Sequence, residues 1–127
     1  IQLAQKADKQ RGFIRSLDDR IVQTNGQHSA LNTLLQSAGA VVMKAALAIF
    51  HFELCKAEGL VGGDDMPVGW SYLATVHDAC QFSAKPEIAD RLGQLFAQSI
   101  VEAGVQLNLR CELAGEYMVG PTWASTH

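Results

Sequence analysis

The chain has 127 residues and a formal net charge of −3, with 48% hydrophobic and 18% charged side chains. That composition excludes disorder and leaves one compact globular domain. It also argues against a free-standing nucleic-acid binder, which is normally basic. The charge is uneven, however: residues 1–20 hold five Lys/Arg against three acids, and the remainder holds five against ten. An anionic partner is expected to approach near the N-terminal stretch.

In chain order, residues 1–10 are polar and helix-compatible, with Leu3 and Ala7 four apart and no apolar signal core. Two short β-type runs follow, Phe13-Ile14-Arg15 and Arg20-Ile21-Val22-Gln23, around Asp18-Asp19. An acidic pair can turn a hairpin, although without Gly one residue must accept a positive φ. Thr24-Asn25-Gly26 signals a turn, and Asn25 or Ser29 is suited to cap the next element. From Ser29 to Glu58 no Pro intervenes, and apolar residues recur at helical spacing: Leu31, Leu34/Leu35, Ala38, Val41/Val42, Ala45, Ile49, Phe52. This predicts one long helix, with Gly59 as the residue beyond its end. The longest apolar run, Ala38 to Phe52, is broken by Lys44 and His51 and is shorter than the ~20 residues of a membrane span, so no membrane role is expected.

Gly62 to Pro67 reads as a loop. Trp70 to Val76 reads as a buried strand, and Cys80-Gln81-Phe82 as its antiparallel return after His77-Asp78. Pro86 suits the first turn of a second helix whose apolar face is Ile88, Leu92, Leu95/Phe96 and Ile100, with Gly104 ending it. Leu107, Leu109, Cys111 and Leu113 alternate with polar residues, the period of a half-buried strand. Gly115 to His127 is a turn-rich tail, and Trp123 is expected to dock it on the core. The expected fold is α+β: β-hairpin, long helix, β-hairpin carrying His-Asp, helix and strand, with a small antiparallel sheet backed by helices.

Several residues invite chemistry. A carboxylate between two apolar strand runs, as Asp78 stands beside His77, suits a hard cation such as Mg²⁺; it equally suits a turn aspartate beside a packed histidine. His28, Asn32 and Gln36, four apart, share one helix face. Such groups can donate to the acceptors that every base pair presents in the minor groove, or simply face solvent. Arg20 and the basic N-terminal segment are suited to phosphates, or to a solvated hairpin. Phosphate-binding G-x-x-x-x-G-K-[ST], H-E-x-x-H and G-x-S-x-G motifs are absent. Asp64 and Asp65 are the acids nearest Asp78 that a metal-dependent phosphatase would need. Cys55, Cys80 and Cys111, odd in number and without C-x-x-C spacing, fit neither a disulfide framework nor a zinc ribbon and point to a reducing compartment.

As a set these motifs carry a resemblance. His28-Ser29-Ala30-Leu31-Asn32-Thr33-Leu34-Leu35-Gln36-Ser37-Ala38-Gly39-Ala40 resembles the long palm helix of family A, DNA polymerase I-like enzymes, above all the phage-type branch. Ala74-Thr75-Val76-His77-Asp78 is similar to that family's motif C, and Gly120-Pro121-Thr122-Trp123-Ala124 through His127 to its terminal Trp and His. Arg11-Gly12-Phe13-Ile14 with Leu17-Asp18-Asp19-Arg20 matches the hairpin leading into the palm helix.

The resemblance implies a palm portion, residues 1–127, within a DNA-directed DNA polymerase of a bacterial cell or phage-infected host. By it Asp78 is one of two aspartates that hold paired Mg²⁺ ions for nucleotidyl transfer. It also implies His77 against the primer terminus, His28, Asn32 and Gln36 on the minor groove, and Arg20 on the duplex-facing side. Implied partners are primer-template DNA, dNTP and the rest of the polymerase chain or a complementing subunit. Two departures stand out. Ala79 replaces the family's Glu after the motif C Asp, and nothing resembles motif A, fingers, thumb or exonuclease. The chain is therefore expected to be inactive alone, either a polymerase part or a non-catalytic module that binds DNA or a partner. Its uncovered edges are expected to favour self-association.

Overall fold

The computed structural model describes residues 13–23, 29–76 and 79–126. The expected helix over residues 1–10, the turn at 24–26, and His28, His77, Asp78 and His127 lie outside the described residues. The fold is α+β, in two compact units, residues 1–42 and 43–127.

In the first unit β1 (Phe13–Arg15) pairs antiparallel with β2 (Ile21–Gln23), Ile14 opposite Val22. The turn is closed by Asp19 N–H donating to the Ser16 carbonyl and Ser16 N–H donating to the Arg20 carbonyl, each at 3.0 Å. Asp19 takes φ of 64°, the positive value expected in the absence of glycine. Helix α1 begins at Ala30, which is fully buried against Val22 and Leu34.

Helix α1 (Ala30–Ile49) runs without a break into a π-helical turn, Phe50–Cys55. Five residues rotate an α-helix by about 500°, which would put Phe50 and Cys55 on different faces. The wider π turn brings both into the core, and it leaves Phe52, expected on the apolar face, 55% exposed. The end is as expected. Gly59, at φ 76°, donates to the Lys56 carbonyl, and Leu60 N–H donates to the Cys55 carbonyl, the paired bonds of a Schellman cap. The continuous helix Ala30–Cys55, 26 residues, is long and apolar enough to cross a membrane, contrary to the reading of the shorter apolar run. A core-bearing helix meets the same criterion, and in the second unit this one buries Ala46, Ile49, Phe50 and Cys55.

The core of the second unit is aromatic. The Phe50 ring lies 5.1 Å from Trp70, 5.1 Å from Phe82 and 5.4 Å from Phe96, mostly edge to face. Val61, Leu92 and Leu95 complete it, and the Trp70 indole N–H donates to the Leu60 carbonyl at 2.8 Å. Strands β3 (Trp70–Val76) and β4 (Ala79–Ala84) pair antiparallel from Trp70↔Ala84 to Val76↔Ala79, with a bulge between Tyr72 and Ala74. Strand β3 is less buried than expected: Trp70 is inside, but Tyr72 and Leu73 are exposed. Among the described residues β3 has one neighbouring strand, β4, a half-paired state that apolar content alone does not reveal.

Helix α2 (Pro86–Gln106) starts with Pro86 in its first turn, as expected, and buries Leu92, Leu95 and Phe96 with Ile88 and Ile100 packed alongside. It passes Gly104 and ends with Asn108 at φ 55°, whose N–H donates to the Val105 carbonyl while Leu109 N–H donates to Gly104. Gly104 serves packing instead: a Cβ there would stand 3.0 Å from Leu113. The expected strand over 107–113 forms no ladder. Its in-out alternation holds only in part: Leu107, Leu109 and Leu113 are partly buried, but Cys111, expected on the same side, is exposed. The tail then runs back along α2, Leu113 at Gly104, Gly115 at Ala97 and Ile100, and the Tyr117 ring against Gly93. Tyr117, whose hydroxyl donates to Asp90 at 2.8 Å, anchors it, and Trp123, expected to dock the tail, is 42% exposed.

Candidate nucleic-acid interface

The helix face expected to meet a ligand is open. Asn32 and Gln36 are exposed on α1, one turn apart, on the side away from buried Ala30. Exposure continues through Gly39 and Ala40, and a Cβ built on Gly39 meets nothing within 4 Å. Ser37 is turned inward, its hydroxyl donating to the Leu34 carbonyl at 2.9 Å. What remains is a ridge of two amides and small residues, able to donate and accept hydrogen bonds and to admit close approach.

Arg20 is exposed but already paired. Its Nε donates to Asp18 Oδ2 at 2.5 Å, and the same carboxylate accepts from Ser16 Oγ and, at 3.4 Å, from Arg20 N–H. These bonds, the Ser16 hydroxyl foremost, hold the Asp18 carboxyl below the usual carboxylate range. Arg15 donates to the Asp19 carbonyl at 2.9 Å. Two arginines and two aspartates thus leave the turn with no formal net charge, so a phosphate would have to compete with Asp18 for Arg20.

The Val76↔Ala79 pair flanks His77 and Asp78. Beside it, Thr75 Oγ1 is 3.4 Å from Cys80 Sγ, whose thiol donates to Met43 Sδ at 3.5 Å. Burial pushes the Cys80 thiol up, and burial pushes that of Cys55 up to about 12. Among the described residues no group of three or more His, Cys, Asp or Glu side chains is placed to hold a metal. Asp65 takes the Lys56 ammonium at 3.1 Å and Asp64 the Met66 N–H at 3.1 Å, so both serve the loop around them.

Sequence reasoning missed a groove of about 500 Å³ in the second unit, between β4, α2 and the tail. Its signal was present in Gly93, Gly104 and Gly115, small residues where the tail approaches α2, but Gly104 reads more naturally as a helix stop.

No family model matches the chain. Three curated relatives do, each a DNA-directed DNA polymerase. That of Escherichia phage T7 is 37% identical over 127 residues, covering 97% of this chain, and that of Enterobacteria phage T3 is 35% identical over 124 residues. That of Escherichia phage Phieco32 is 35% identical over 100 residues, 79% of this chain. The chain spans only 15–17% of the length of these relatives. The resemblance read from the motifs thus holds across nearly the whole sequence, and the chain is a relative of one segment of the phage-type DNA-directed DNA polymerases.

Proposed function

We propose that this chain is the C-terminal palm portion of a family A DNA polymerase, a fragment or a split subunit that works in template-dependent nucleotidyl transfer. The observation that carries this reading is the 37% identity over 97% of the chain, which takes in Ala74–Asp78 and His28–Ala40 together. The open amide ridge of Asn32 and Gln36 supports a minor-groove role, since its donors suit acceptors common to all base pairs. His28 extends that ridge in sequence, and Arg20 meets phosphate by exchanging Asp18 for it. His77 lies against the primer end.

Asp78 supplies one carboxylate to Mg²⁺. The second must come from the missing portion of the enzyme, because Ala79 offers none, so the chain is inactive alone. Primer-template DNA, dNTP and the rest of the polymerase are its partners in the cytoplasm of a bacterial or phage-infected cell. Until that rest is present, the exposed side of β3 is open to a second copy.

Primer extension with Mg²⁺ tests the proposal, using this chain alone and mixed with the T7 polymerase lacking the matched segment. Extension is expected only in the mixture and is expected to fall to background with Asp78→Ala. Extension by the lone chain would overturn the account of what is missing. An inactive mixture would favour the second reading, a non-catalytic module that binds duplex DNA or a partner, which Ala79 also supports.

A further inference from the structure

Residues 118–126 hang from one side chain. The Tyr117 ring is seated in a notch on α2 that exists because residue 93 is glycine: a Cβ built there would overlap the ring. Gly93 lies inside a helix, where alanine is the better helix former, so the notch is kept against local preference. The Tyr117 hydroxyl donates to Asp90 Oδ1 at 2.8 Å, and that carboxylate is itself held in place. Gln94 donates to Asp90 Oδ2 at 3.2 Å, and Arg91 Nη1 donates to Gln94 at 3.2 Å. Arg91 also closes a forked pair on Glu58 through Nε and Nη2, each at 2.8 Å. The ring thus fixes where the tail crosses α2, and the hydroxyl fixes how it is turned.

Beyond the ring the tail is short and closed on itself. Thr122 N–H donates to Ser125 Oγ at 3.2 Å, and Ser125 Oγ donates to the Thr122 carbonyl at 2.6 Å. Thr126 N–H and Oγ1 donate to the Trp123 carbonyl at 3.0 and 2.8 Å. The turn folds back on Gly120, where a Cβ would overlap Ser125 Oγ. Met118 and Val119, both mostly exposed, are all that separates this unit from Tyr117. Its position is therefore inherited from the ring. Thr126 lines the groove of about 500 Å³ together with Tyr117 and with Ala79 and Cys80, the residues of β4 that follow His77-Asp78 in sequence.

We propose that Tyr117 is a positioning residue for nucleotidyl transfer: seated at Gly93 and tied to Asp90, it sets the terminal turn, residues 122–126, on the groove that it shares with the start of β4. The role rests on the polymerase reading above. Tyr117 acts through the turn and not on substrate. A group that only orients its neighbours changes how often the reacting geometry is reached, so its loss shows in kcat while the KM for nucleotide holds.

Two variants that disturb the seat from opposite sides, Tyr117→Ala and Gly93→Ala, test the proposal. In amide hydrogen exchange on the full chain, both are expected to speed Ser125 and Thr126 by at least about threefold while residues 86–106 keep their rates. Gly93→Ala favours the helix, so loosening of the tail in that variant comes from the filled notch and not from loss of α2. Unchanged exchange at Ser125 and Thr126 would overturn the latch. In primer extension with the T7 polymerase lacking the matched segment, each variant is expected to lower kcat about tenfold at constant nucleotide KM. Tyr117→Phe, which keeps the ring and loses the bond to Asp90, should fall between the wild type and Tyr117→Ala. The double variant should be no slower than either single one, since both remove the same seat. Multiplied losses, or a rise in KM with kcat held, would overturn the role. So would full activity of Tyr117→Ala in a mixture that extends primers, and that result leaves the polymerase reading standing. A wild-type mixture without extension refutes that reading and the role with it, while the exchange rates still decide whether the latch exists.

Discussion

The two hairpins of this chain are built on opposite terms. The first, β1–β2, has three-residue strands and a turn made of Ser16, Asp18, Asp19 and Arg20, and the side chains around it are mostly exposed. The second, β3–β4, has no charged residue in either strand and is fixed by Trp70 and Phe82 packed on Phe50 and Phe96. One is held by turn chemistry and polar bonds, the other by burial. They should therefore fail under different insults.

The largest effect is expected from Phe50→Ala, which removes the ring at the centre of the aromatic cluster. It should cost the second unit about 3–5 kcal/mol in denaturant unfolding. A smaller loss would mean that the cluster collapses into the space or that its packing matters less than its apolar area. The next effect is conformational. Asp19→Gly should stabilise the first hairpin by up to about 1 kcal/mol, because glycine takes the positive φ without strain. Gly59→Ala, at φ 76°, should destabilise the cap of the long helix by a similar amount, about 1 kcal/mol. If both changes prove neutral, these left-handed positions carry no strain.

The smallest effect is expected from acid. The Asp18 carboxyl is held below its ordinary value, so its bonds to Ser16 and Arg20 contribute above the unfolded-state pKa and are lost as pH falls through the folded one. Amide shifts of residues 16–20 should therefore move on acidification from about pH 4 downward, while those of β3 and β4 stay fixed. Movement of both hairpins together would erase the contrast between them.

Much of this arrangement was legible in the residues. The hairpin turn, the long helix and its glycine stop, and the buried face of α2 all follow from spacing and from local backbone preference. What escaped depends on contacts between distant parts of the chain. Phe52 fits an α-helical apolar stripe as well as Ile49 does, and only the π turn, made where Phe50 and Cys55 meet the core, turns it outward. Leu107 to Leu113 has the period of a strand, but a strand also needs a neighbour, and the segment packs on a helix instead. The candidate site is the least legible of all. Asn32, Gln36 and Arg20 could be placed on an exposed face or turn from sequence, yet the Asp18–Arg20 pair that competes for the guanidinium could not.

The reversal at Asn108 makes α2 a measuring rod for everything after it. Because the chain doubles back there, Leu113, Gly115 and Tyr117 reach Gly104, Ala97 and Gly93 only if the number of residues between reversal and contact is conserved. Inserting one residue between 109 and 112 would slide the trailing segment along the helix, parting Tyr117 from Asp90. Substitutions in that stretch can be varied freely on its exposed positions, whereas its length cannot.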